Sequence, residues 1–104
     1  MLELSALVFA AASLKVTPSN CFEPCIIKYV VQIEQVEEVS EVCIHLESDF
    51  SRVVCFPPQR RTTNTQISNV PAGEYMTWLS LKRGLSKEES VTPQQPVTVI
   101  DTEN

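Results

Sequence analysis

Four cysteines, one histidine and one tryptophan are the side chains of this 104-residue chain that could carry chemistry. Cys21 and Cys25 bracket Phe22-Glu23-Pro24, and Cys43 and Cys55 flank a polar turn at Ser48-Asp49-Phe50-Ser51. An even cysteine count in a short chain fits two disulfides in an oxidising compartment. Three pairings are open. A hairpin symmetric about Asp49 sets Cys43 opposite Cys55 and His45 opposite Val53, which favours Cys43–Cys55 and leaves Cys21–Cys25. For that pairing, a Cα separation of roughly 4.4–6.8 Å is expected. The alternative is four free thiols packed as small apolar groups, as in a cytosolic chain.

The same outer sheet face could hold Cys43, His45 and Cys55, three potential metal ligands. A structural zinc needs a fourth ligand and usually a tight Cys-x2-Cys loop, and Cys21-x3-Cys25 lies on a different strand end. No metal site is expected. Catalysis has little to build on either. There is one histidine and no serine in a nucleophile-elbow context. Glu37-Glu38 and Glu88-Glu89 are neighbours in sequence, so on a strand they point apart. With only Gly73 and Gly84 the chain has no phosphate-cradling loop, and no cofactor is expected.

These residues depend on strands for their placement. Residues 26–34 alternate cleanly, with Ile27, Tyr29, Val31 and Ile33 on one face and Lys28, Gln32 and Glu34 on the other, beside Ile26 and Val30. Val42, Ile44 and Leu46 alternate with Cys43, His45 and Glu47. Arg52 to Phe56 returns until Pro57-Pro58, which cannot donate to a ladder. Polar residues 62–69 lead through Pro71-Ala72-Gly73 into a run where Tyr75, Thr77, Leu79 and Leu81 oppose Met76, Trp78 and Ser80. Residues 14–16 read as a short edge strand and residues 96–100 as the last one. The acidic connection 35–41 reads as solvated, though Val36 and Val39 could pin it down, and the stretch 85–95 is polar and Pro-punctuated. The expected core is Ile27, Tyr29, Val31, Ile33, Val42, Ile44, Leu46, Val54, Phe56, Tyr75, Leu79 and Leu81.

A 43% apolar and 20% charged composition is that of a globular chain, and its length is that of one domain. Net charge is −5, and the eight Lys and Arg are scattered, which argues against nucleic-acid binding. The apolar run 4–14 is too short to span a membrane. It ends in Ala10-Ala11-Ala12-Ser13, like a secretory cleavage site, but Met1-Leu2-Glu3 carries no positive charge. Residues 1–12 therefore read either as a signal peptide or as a first strand, ahead of a single β-sandwich domain over 13–104. No Asn-x-Ser/Thr acceptor is present.

Six to seven short strands spaced about ten residues apart predict an all-β fold, an antiparallel β-sandwich or small barrel. The segments P-C-I-I-K-Y-V-V-Q-I-E, V-C-I-H-L-E and N-V-P-A-G-E-Y resemble immunoglobulin-like and fibronectin type III-like sandwiches. That resemblance implies a tyrosine corner, in which the Tyr75 hydroxyl bonds back to nearby backbone. The lack of a tryptophan on residues 42–46 and of a cysteine near Tyr75 sets the chain apart from antibody-type domains. N-V-P-A-G-E-Y also resembles the prealbumin-like modules of carboxypeptidase regulatory domains, whose Asp/Gly-rich turn is missing here. An immunoglobulin-like topology implies that the strands of His45 and Trp78 are neighbours. Trp78, Met76, His45 and Val53 would then form an outward, largely uncharged patch, unless residues 85–95 or the N-terminal run cover Trp78. The expected function is a non-catalytic spacer or interaction module of a secreted or surface protein. Its partner would be another protein or a neighbouring domain of the same chain. The alternative is an accessory, carbohydrate-binding domain of an extracellular enzyme.

Overall fold

The computed structural model describes residues 12–84, 89–90 and 92–102. The signal-or-strand alternative for the N-terminus falls on residues 1–11, outside that range; Ala12 belongs to the first strand. The strands are β1 (Ala12–Thr17), β2 (Asn20–Phe22), β3 (Cys25–Ile33), β4 (Glu41–Glu47), β5 (Ser51–Phe56), β6 (Thr62–Val70), β7 (Gly73–Lys82), β8 (Glu89–Ser90) and β9 (Gln95–Ile100). They form two sheets. One has the order β1-β3-β6; the other runs β2-β9-β7-β4-β5, with β8 on the upper part of β7. All ladders are antiparallel except β2 with β9. The fold is an antiparallel β-sandwich.

Alternation places the core. On β3, Ile27, Tyr29, Val31 and Ile33 are buried while Ile26, Lys28 and Gln32 are exposed. Across from them lie Val42, Ile44 and Leu46 of β4, Tyr75, Leu79 and Leu81 of β7, and Val97 and Val99 of β9. Burying each such aliphatic side chain contributes about 1.5–3 kcal/mol against exposure. Leu14, Ile67 and Val70 complete the three-stranded side. Val39 leaves the acidic connection to join the core, and Val36 packs beside it, at a single 3-10 turn (Val36–Glu38).

The seven longer strands are the ones expected, and two short strands join them among the described residues. The two additions, β2 and β8, are three and two residues long and lie in stretches whose composition reads as loop. Val54 and Phe56 point inward as expected, but they are only half-buried. Both lie on β5, the end strand of its sheet, and pack against the rim of the core cluster. Finally, Cys43 points away from the core yet is only 5% exposed, because neighbours on its own sheet close over it.

At the β6–β7 turn Asn69 takes a left-handed backbone (φ 56), a region Asn tolerates better than most residues. The Tyr75 hydroxyl then donates to the Pro71 carbonyl oxygen four residues back at 2.8 Å. This is the tyrosine-corner bond expected from the resemblance. Glu23 supports the same turn, accepting from the Ala72 amide at 2.8 Å.

Candidate interaction surface

The β5-β4-β7 ladders bring the outward side chains into rows. Val53, His45 and Trp78 are direct cross-strand neighbours; Cys55, Cys43 and Ser80 form the next row, and Glu47 lies beside Met76. Their common face follows from period-2 geometry once Ile44 and Leu79 are fixed in the core. The expected adjacency of Trp78, Met76, His45 and Val53 is therefore realised.

The centre of this face is a stacked pair. The His45 and Trp78 rings lie 4.9 Å apart with planes 2° from parallel. His45 Nε2 lies 2.9 Å from Ser80 Oγ, one row up. At the backbone, the Thr77 hydroxyl donates to the His45 carbonyl oxygen at 2.6 Å. His45 is thus held at both ends. This pair occupies the middle ground between an open patch and full coverage: Trp78 and His45 are both half-buried, while Val53 is 50% and Met76 43% exposed. Stretch 85–95 contributes at its described residues. Ser90 pairs with Ser80, and Thr92 Oγ1 accepts from the Leu79 amide at 3.0 Å, filling the gap on β7 between β8 and β9.

Both disulfides are formed, Cys21–Cys25 and Cys43–Cys55. The Cys43 and Cys55 Cα atoms are 4.1 Å apart, slightly closer than expected. The two residues sit directly opposite in adjacent strands, where a non-hydrogen-bonded antiparallel pair brings Cα atoms to about 4.5 Å. Glu41, Cys43 and Cys55 place potential ligand atoms within 4.8 Å of one another. With both sulfurs bonded to each other, neither can act as a thiolate ligand, and the Glu41 carboxylate is left alone. The His45–Ser80 contact has the spacing of a base and its nucleophile. Ser80, however, is only 2% exposed, which leaves a substrate no approach to its oxygen in this conformation.

The buried phenols carry the shifted ionisations. Burial pushes the Tyr29 hydroxyl above the usual tyrosine range, and its bond to Thr77 pulls part of the way back. Burial raises Tyr75 too; Ser48 opposes the shift and the charge of Glu23 adds to it.

Sequence reasoning missed one exposed apolar pair. Phe22 is 63% exposed and Ile100 41%, and they are neighbours through the parallel β2–β9 ladder. A three-residue strand shows no periodicity, so nothing in the residue pattern around Cys21 foretold it. No known protein-family profile matches this chain, and no curated protein is significantly similar to it.

Proposed function

We propose that the chain is a non-catalytic β-sandwich module, immunoglobulin-like or fibronectin type III-like in kind, serving a secreted or cell-surface protein as an interaction domain or spacer. Its partner is a protein or a neighbouring domain of the same chain. The observation that carries this reading is the Val53–His45–Trp78 row with Met76 beside it. An aromatic stack flanked by exposed apolar side chains, uncharged at its centre, has the composition of an interface core. The split of three against four long strands and the Tyr75–Pro71 bond support the structural kinship. The two disulfides support an oxidising compartment.

Photo-crosslinkers placed at positions 53 and 76 of the protein in its producing cell test this. Adducts from both positions, absent from position 28 on the opposite sheet and lost with Trp78→Ala, are the expected result. Equal adducts from positions 28 and 53 would remove this surface from the proposal. The carbohydrate-binding alternative rests on the flat indole of Trp78, one face of which His45 already covers. Oligosaccharides that quench Trp78 emission at saturable concentrations would favour that alternative.

A further inference from the structure

β6 carries an open edge built for one kind of neighbour. The Ile33 amide bonds to the Arg61 carbonyl, and Gln32, Val30 and Lys28 pair with Thr62, Asn64 and Gln66. In an antiparallel ladder that pattern makes 31/63 and 29/65 the hydrogen-bonded pairs. The backbone N–H and C=O groups of Thr62, Asn64 and Gln66 therefore point away from β3. Beyond the regular stretch, the Ser68 carbonyl is occupied from outside this sheet, where Arg52 Nη2 of β5 donates to it at 3.3 Å. Among the described residues no strand pairs with this edge of β6.

Natural sheets defend such edges with charge, proline, brevity or a bulge. β2 is three residues long. β1 turns Lys15 outward, and β5 carries Arg52 and stops at Pro57-Pro58. β6 is nine residues long, with neither charge nor proline. Its only irregularity lies between Ile67 and Val70, leaving residues 62–66 regular.

We infer that residues 62–66 pair antiparallel with the same residues of a second copy of this chain, forming a weak twofold dimer through β6. The register follows from the groups that are unpaired. Arg52 already occupies the Ser68 carbonyl, so the pairing centres on Asn64 facing Asn64 of the second copy. Thr62 then meets Gln66 of the second copy, and Thr63 meets its Thr65. Every facing pair is uncharged and able to hydrogen-bond through its side chains, as favourable cross-strand pairs are. A twofold interface requires this self-complementarity. Thr63 and Thr65 are half-buried at the open side of the sandwich and gain cover from the added strand. A groove lined by Phe56, Arg60, Thr63 and Asn64 runs along the same edge and leaves room for it. So short a contact gives a dimer that forms and dissociates with concentration.

Sedimentation velocity of the full chain from micromolar to millimolar concentration tests the inference, combined with hydrogen exchange of the Thr62, Asn64 and Gln66 amides. A monomer–dimer equilibrium is expected, with protection of those amides rising with concentration. Asn64→Pro removes an N–H that no bond among the described residues uses, so the fold survives and dimerisation is lost. Asn64→Lys sets two like charges face to face and gives the same result by another route. A chain that stays monomeric throughout overturns the inference. So does a dimer that both variants leave intact, since another face then makes it. Protection that does not vary with concentration also overturns it, because a segment of the same chain then covers the edge.

Discussion

The hydroxyl of Tyr29 and the hydroxyl of Thr77 meet at 2.9 Å inside the sandwich, one from each sheet. Thr77 has a single hydroxyl proton and donates it to the His45 carbonyl, so Tyr29 must donate to Thr77. This relay joins β3 to β7 and β4 through the core and ends at the backbone of the stacked histidine. Thr77→Val should cost more than Tyr29→Phe. The valine leaves the Tyr29 hydroxyl without its partner and takes one donor from the His45 carbonyl, a loss of about 1–3 kcal/mol for the buried hydroxyl. The phenylalanine leaves the Thr77–His45 bond in place, so about 0.5–1.5 kcal/mol is expected. Midpoints of urea unfolding for the two variants measure the order; equal costs would mean that the relay is not transmitted beyond Tyr29.

Both tyrosines make stability fall at alkaline pH. Burial raises each hydroxyl above its ordinary value in the folded protein. In the unfolded chain a tyrosine ionises near pH 10. Between the unfolded and the raised folded value, the unfolded state binds fewer protons than the folded one, so unfolding free energy decreases as pH rises. Below the unfolded value the contribution is fully present. Unfolding midpoints should therefore be flat on this account at neutral pH and decline above about pH 10. The decline should be shallower in Tyr29→Phe. Ultraviolet titration of phenolate absorbance should show ionisation arriving together with unfolding; two tyrosines titrating normally in a folded chain would refute the prediction.

How much of this is legible from residue order depends on the length of the pattern. β3 and β7 alternate over nine and ten residues, enough to fix which face each side chain takes, and the His45–Val53 and Cys43–Cys55 pairings follow from one turn. β2 and β8 are too short to have a period, and only the tertiary positions of β9 and β7 call them into being. Val54 and Phe56 have the right direction but sit on β5, the end strand of its sheet, and the place of a strand in its sheet is a global property. Cys43 and Ser80 are the reverse case. Alternation turns them outward, and side chains two residues or one strand away bury them.

The disulfides should contribute unequally. Cys43–Cys55 spans a separation of 12 residues and Cys21–Cys25 one of 4. A crosslink restricts the unfolded chain more as its loop lengthens, by about 3 kcal/mol for a loop of some fifteen residues. The double variant Cys43→Ala, Cys55→Ala should therefore lose about 2–3 kcal/mol. Alanine rather than serine avoids placing a hydroxyl at buried position 43. Cys21→Ala with Cys25→Ala should lose less, unless the exposed Phe22 and its pairing with Ile100 detach with the bridge. Guanidinium unfolding of both double variants without reductant compares them directly, and a larger loss from the shorter loop would show that detachment.

The exposure of Trp78 is set by His45, which makes the stack the part of the proposed surface most open to a direct measurement. Trp78 is half-buried, so its emission should lie between that of a core and a fully solvated indole, and an aqueous quencher should reach it in part. His45→Ala removes the ring lying 4.9 Å away and opens one indole face. Emission should move to longer wavelength, quenching should rise, and stability should fall by about 0.5–1.5 kcal/mol for the lost aromatic pair. Ser80→Ala frees His45 Nε2 from one partner without removing the ring, so a smaller change of the same sign is expected. Val53→Ser, beside the histidine on the edge strand, should leave the spectrum nearly unchanged, because Val53 lies on the far side of His45 from the indole. If His45→Ala left quenching as it was, the indole would be shielded by something other than the histidine. The Val53–His45–Trp78 row could then no longer be treated as one surface.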